Sequence, residues 1–338
     1  MGPVAVDAEG NIYGATLKGG DNDAGLVYLL QPKRDGSYQE WRIYQFAPNG
    51  PAGISPGPLV RDAAGNLLGV STAGVFELTR QARGVWSASV IYSNYSALAV
   101  PLTISNGAVY DPDVIVGQNL TDIVKFVPNG NSYTAQVLYK LQDWHWIGAI
   151  AVDASGDIFG AANYKFNTGV AAVLELKPSG GTYTVNVLHT FGGPGDGSQP
   201  NGITMDAAGN VYGTTAYGGA YNDGIVYELV PGNQGYTETI LDNVGQNAPA
   251  YYPNSAPVLD SGGIFFTTAA GNGTVVELVP HGNSYSEQIV HTFTGGMGGA
   301  NPHGTLYLGR DRILGVSGGG KTGDCYSTGC GTVYAVTP

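Results

Sequence analysis

Charge, sulfur and long apolar runs are all scarce in this chain. Only 12% of its 338 residues are charged, and 14 Lys and Arg against 26 Asp and Glu leave a net charge of -12. The few cations are scattered, so no basic cluster is present to displace counterions from a phosphate backbone or to sit on an anionic membrane. Nucleic acid is excluded as a partner on this ground, and neutral or cationic ligands are favoured. No apolar stretch approaches the roughly 18 residues that span a bilayer, so membrane insertion is not expected. Helices are disfavoured as well, because 54 glycines and 19 prolines interrupt every segment. The sequence also lacks a P-loop, a dinucleotide fingerprint, a Gly-x-Ser-x-Gly elbow and a His-Glu-x-x-His pair, which removes several common enzyme classes.

Cysteine is nearly absent. Cys325 and Cys330 are the only two, separated by Tyr-Ser-Thr-Gly in a Gly-rich segment. Their spacing suits a local disulfide, which would imply an oxidising compartment and hence export; a metal half-site and two free thiols are the competing readings. The sequence opens at Gly2-Pro3 almost inside a strand, so removal of a signal peptide ahead of this point is expected, with the protein secreted, periplasmic or at the cell surface.

What the chain does have is repetition. A phrase of apolar run, Asp-x-x-Gly-Asn, aromatic-Gly-Thr, Gly-Gly and Val-Tyr-Glu-Leu recurs seven times at a spacing of roughly 48 residues. Its clearest copy runs Asp206-Ala207-Ala208-Gly209-Asn210-Val211-Tyr212-Gly213-Thr214-Thr215, then Gly218-Gly219 and Gly224-Ile225-Val226-Tyr227-Glu228-Leu229. Each copy reads as four strands, a to d; in the fifth these are 202–206, 211–215, 225–230 and 236–241. Asp206 to Asn210 suits a tight turn closed by a glycine at positive φ. The repeats fall near 3–53, 54–100, 101–146, 147–200, 201–253, 254–301 and 302–338. A four-stranded sheet cannot cover both its faces alone, so the expected fold is all-β, a single seven-bladed β-propeller domain whose last blade either has three strands or takes its fourth from residues ahead of the first repeat.

Gly192-Gly193, Asp196-Gly197, Pro200, the run from Asp206 to Thr215, Gly218-Gly219, Gly224 to Leu229 and Leu188-His189-Thr190-Phe191 together resemble the GloVer (Gloeo_Verruco-type) repeat, found in tandem in exported bacterial proteins. The resemblance covers the whole chain and is clearest in copies one, five and seven. It implies a propeller and export, and it supplies no catalytic residues to carry over.

In an up-and-down blade the b–c loops and d–a links share one face, the a–b and c–d turns the other. The b–c loops are long in copies one, four, five and seven and short in two, three and six. With ring closure this predicts a trough on the loop face, suited to an extended ligand. Aromatic residues crowd that face: Trp144 and Trp146 in the third d–a link, Tyr251 and Tyr252 in the fifth, Tyr164 in the fourth b–c loop, Tyr217 and Tyr221 in the fifth. Flat rings match sugar faces, so the leading expectation is a carbohydrate-binding propeller for a polysaccharide or oligosaccharide. A polysaccharide lyase or glycoside hydrolase on the same face is the alternative. It would draw its acid or base from His145, His303, Asp143 and Asp223, and Arg61 or Lys321 would neutralise a substrate carboxylate. A protein interaction module using the same rings is the third reading. His189 and His291 stand at equivalent places on strand d, where a structural role is expected. No cofactor is expected, Ca²⁺ being the one ion that Asp21-Asn22-Asp23 and Asn222-Asp223 could recruit, although Asp and Asn are ordinary turn residues. Nothing in the sequence sets an oligomeric state.

Overall fold

A computed structural model describes residues 4–93, 101–115, 120–130, 132–146, 148–165, 168–245, 251–282, 284–309, 311–318 and 331–337. The chain is all-β and forms seven successive antiparallel sheets, the blades of a seven-bladed β-propeller. It divides into two compact units, Met1–His145 and Trp146–Pro338.

The first unit holds three blades. They comprise β1 (Ala5–Val6), β2 (Ile12–Thr16), β3 (Leu26–Pro32) and β4 (Tyr38–Gln45); β5 (Leu59–Arg61), β6 (Leu67–Ser71), β7 (Gly74–Arg80) and β8 (Trp86–Tyr92); and β9 (Thr103–Ser105), β10 (Ala108–Ile115), β11 (Leu120–Asn129) and β12 (Ser132–Gln142). A short strand, β13 (Trp144–Trp146), lies at the boundary. The second unit holds four blades: β14 (Ala151–Val152), β15 (Ile158–Tyr164), β16 (Ala171–Ser179) and β17 (Thr182–Thr190); β18 (Gly197–Met205), β19 (Val211–Gly218), β20 (Ile225–Gly232) and β21 (Gly235–Asn243); β22 (Val258–Leu259), β23 (Ile264–Thr268), β24 (Thr274–His281) and β25 (Ser284–Thr292); and the three-stranded β26 (Pro302–Leu308), β27 (Ile313–Ser317) and β28 (Thr332–Val336).

Within each unit the cores form between neighbouring blades. Tyr13, Val27 and Phe46 of the first blade meet Leu59, Phe76 and Leu78 of the second. Phe159 and Val173 of the fourth meet Val211, Tyr227 and Leu229 of the fifth. Both faces of the inner strands are therefore apolar, which explains why β6 is buried along its whole length.

The polar part of the repeated phrase is structural. Asp206 Oδ1 accepts from the amides of Ala208 and Asn210, both at 2.9 Å, and Gly209 closes the turn at φ +86. Asn210 Nδ2 donates to Asp206 Oδ2, and the Tyr212 hydroxyl donates to Glu228 at 2.7 Å. The Asp, Asn, Tyr and Glu that recur along the sequence thus satisfy one another on the a–b turn face.

Two features go beyond the sequence reading. The c–d pairing shifts register once in each of the first six blades, for instance between Val226 and Tyr227, where Leu241 of β21 is the extra residue. A one-residue shift re-aims every side chain that follows it. The second feature is strand β18, which begins at Gly197 rather than 202, because link residues continue the ladder by pairing with the end of β19.

Candidate functional site

The d–a links follow a common plan. Ser55, Gln199, Tyr252 and Asn301 each precede a proline and each adopt a positive φ, between +52 and +59. A bulky residue in that region ahead of proline is strained by about 1–3 kcal/mol, so surrounding contacts must hold it. The amides of Ser55, Tyr252 and Asn301 donate to the carbonyls of Ala24, Asp223 and Asn272, the residues that precede Gly25, Gly224 and Gly273. The following proline lies on that glycine: a Cβ on Gly224 would sit 2.8 Å from Pro253 Cδ and 2.2 Å from the Thr215 carbonyl oxygen. The glycine that opens strand c is therefore needed for close approach as well as for its φ of +99.

At the link after the fifth blade this plan holds up two tyrosines. On the other side, the Tyr252 carbonyl accepts from the Ala269 amide at 3.0 Å, and Asn201 Nδ2 donates to the Pro253 carbonyl at 2.8 Å. The backbone is thus tied to two blades while the Tyr252 ring stays open and Tyr251 is half-buried. Tyr252 is 38% exposed, Tyr217 40% and Tyr221 49%. The Tyr217 and Tyr252 rings lie 5.2 Å apart at 50°, and the Tyr251 and Tyr252 rings 6.4 Å apart at 48°. The space above Gly245 is bordered by the Asp223 carboxylate and the Tyr251 ring edge, 2.7 and 3.2 Å from where a Cβ would stand. Tyr217, Tyr251, Tyr252 and Asp223 are thereby brought together as a continuous aromatic surface with one acidic border.

Other predicted residues lie apart from this surface or are closed off. Trp146 is 3% exposed and packs its ring onto Gly160, where a Cβ would fall 2.4 Å away; it is a core residue, not an open stacking platform. His145 is likewise 3% exposed, and burial pushes its pKa down against the opposing charge of Asp143. A base so enclosed cannot meet a polymer. Trp144 is half-buried, with its carbonyl accepting from Thr121, and Asp143 sits at φ +65. Tyr164 carries the Lys165 ammonium over its ring at 5.2 Å. His303 is half-buried on β26, with Nδ1 2.7 Å from the Asn301 carbonyl, an arrangement that leaves Nε2 as the acceptor; burial lowers its pKa.

Arg61 belongs to the opposite face. Its guanidinium lies beside Gly65 of an a–b turn and its charge favours the ionised form of Asp7, so within its unit it serves the turns. Asp21 and Asp23 are used to hold their own loop: the Gln45 side chain at the end of β4 donates to Asp21 and the Gly19 amide donates to Asp23. Lys321, Cys325 and Cys330 lie outside the described residues.

The sequence reading missed two clusters of ionisable groups. Asp111, Asp113 and Asp122 on β10 and β11 are at most 1% exposed. Asp113 stands directly opposite Asp122, which pairs with Lys140 at 2.6 Å. Burial, then the charge of Asp113, raises Asp111 well above the usual carboxylate range. The signal was present in Asp111-Pro112-Asp113, which replaces the Gly-Thr-Thr of the fifth copy. The other cluster, His189 with Asp196 and Glu238, joins the fourth and fifth blades.

The fold and this loop face define the class of protein, a seven-bladed β-propeller with an exposed tyrosine surface. No family model matches the sequence, and no curated protein matches it. Among solved structures the chain is similar to a streptogramin B lyase, at a TM-score of 0.58 and 14% identity over 98% of this chain and 92% of that one. It is also similar to a catalytically inactive virginiamycin B lyase from Staphylococcus aureus with quinupristin, at 0.60 and 14% over 99% and 94%. A candidate 6-phosphogluconolactonase from Bacteroides fragilis gives 0.56 and 11% over 85% and 82%. Identities this low carry the fold and not the reaction.

Proposed function

We propose that this propeller is an exported carbohydrate-binding protein and that it holds an extended, uncharged glycan on the tyrosine surface of its fifth and sixth blades. The observation that carries this reading is the Tyr217, Tyr252 and Tyr251 array, in which the Tyr252 backbone is tied down on both sides while the Tyr217 and Tyr252 rings remain open beside a half-buried Tyr251. Preorganised rings lose little entropy on binding, and their apolar faces match the CH faces of sugars. Asp223 at the border supplies an acceptor for hydroxyl groups and disfavours acidic sugars, as does the net charge of -12. The closely spaced cysteine pair supports export, since a local disulfide persists only in an oxidising compartment.

The test is affinity electrophoresis of the protein in gels containing neutral or uronate-rich polysaccharides, with parallel assay of reducing and unsaturated ends. Retardation by a neutral polymer without product is expected. Tyr252→Ala and Tyr217→Ala should each weaken retention by about 3- to 10-fold, the worth of one stacked ring. Release of new ends would make the loop face catalytic, and retention by no glycan would overturn the reading in favour of a protein partner.

A further inference from the structure

At the joint between the fourth and fifth blades, three side chains from three segments converge. His189 follows the register shift in β17, Asp196 lies in the link before β18, and Glu238 precedes the shift in β21. His189 Nε2 stands 3.1 Å from Asp196 Oδ2 and 3.5 Å from Glu238 Oε1, and all three donor atoms lie within 4.8 Å of one another. Donors bound at about 2.1 Å to one ion stand roughly 3.0–3.5 Å apart when they subtend octahedral or tetrahedral angles. The side chains are also held in place. Asp196 Oδ2 accepts from the Gly192 amide at 3.1 Å, and the His189 ring packs edge-on against Phe191 at 4.7 Å. All three keep some exposure, 19% for His189, 11% for Asp196 and 18% for Glu238, which leaves a route for an ion and for water.

Neighbouring joints show that the trio is not a default of the repeat. His291 packs on Phe293 as His189 does on Phe191, at the same 4.7 Å, yet Gly298 stands where Asp196 would be, five residues past the phenylalanine. In the joint between the fifth and sixth blades Asp242 and Glu287 occupy the positions of His189 and Glu238, so the imidazole is missing. Among the described residues, only this joint combines an imidazole with two carboxylates.

We infer that His189, Asp196 and Glu238 form a three-ligand site for a divalent first-row metal ion, with its remaining positions open to water. The ion neutralises two carboxylates that otherwise share one imidazole, and it fastens the fourth blade to the fifth. The proposal does not depend on the glycan-binding reading.

The test uses the full chain stripped with a chelator and titrated calorimetrically with Zn²⁺, with Co²⁺ as the spectroscopic probe. One ion per chain is expected, together with visible Co²⁺ bands from mixed nitrogen and oxygen ligation and a rise in melting temperature on metal addition. Glu238→Gln preserves shape and should weaken binding by 10-fold or more. His189→Phe preserves packing against Phe191 and should abolish the Co²⁺ bands. Asp242→Asn, in the adjacent joint, should change neither. Zn²⁺ binding that persists undiminished in both ligand variants, or no binding by the parent chain, would overturn the site and leave a histidine–carboxylate ion cluster in its place.

Discussion

Tyr252 and Trp146 show how differently two aromatic residues of the same loop class behave once their backbones are placed. Tyr252 is lifted out by its strained position before Pro253, whereas Trp146 covers the bare face of Gly160. Trp146→Ala should therefore cost about 3–5 kcal/mol of folding stability, the usual loss for a large buried ring, read from chemical denaturation, while leaving polysaccharide retention intact. If retention falls and stability does not, the burial argument fails. Asp111 offers a second residue-scale expectation. Its folded pKa lies well above its unfolded value, so the stability it contributes at acidic pH is lost as pH rises towards the folded pKa. Asp111→Asn keeps the shape without an ionisable proton and is expected to match or exceed the parent in stability at pH 8. Asp122→Asn removes the partner of Lys140 and should destabilise. Trp144 and Trp146 look alike in the sequence, and only packing distinguishes them.

Among elements, the d–a links and the shifted d strands govern where chemistry can sit. Gly224→Ala would drive a methyl group into the Thr215 carbonyl and the Pro253 ring at a φ no alanine favours. The fifth b–c loop should loosen, lowering glycan retention together with stability, as a melting curve and a retention gel on the same sample would show. Asp242 on β21 and Glu287 on β25 face each other across a joint. Burial raises Asp242 to about 6, and burial with the charge of Asp242 raises Glu287 to about 7. Both folded values exceed the unfolded ones, so the stability this pair contributes is fully present below about pH 4 and is lost as pH climbs through 6 to 7. The double variant Asp242→Asn, Glu287→Gln should narrow the difference in melting temperature between pH 5 and pH 8. An unchanged difference would show that the pair is already solvated. None of this was legible in the sequence, because the register shift that turns Asp242 toward its neighbour leaves no mark in the residue pattern.

At the scale of the molecule, seven copies of one phrase yield seven sheets, and the last of them is built from three strands. β28 is thus an outer strand where the other blades of its unit place a fourth, and among the described residues no further strand joins its sheet. Amide exchange should be faster in β28 than in β20 or β24, which are flanked on both sides; equal protection would mean that another segment covers that edge.

The sequence by itself determined the number of blades, the strand order, the a–b turns and the crowding of tyrosines on the loop face. All of these follow from local chemistry: glycine at positive φ, aspartate capping its own turn, and apolar runs that must be covered on both faces. Only the tertiary structure decided which rings stay open, which carboxylates are sealed, and that His189, Asp196 and Glu238 meet. Those outcomes depend on contacts between strands and between blades, up to about fifty positions apart in the chain, and on a one-residue register shift that changes which side chains face one another without changing any residue.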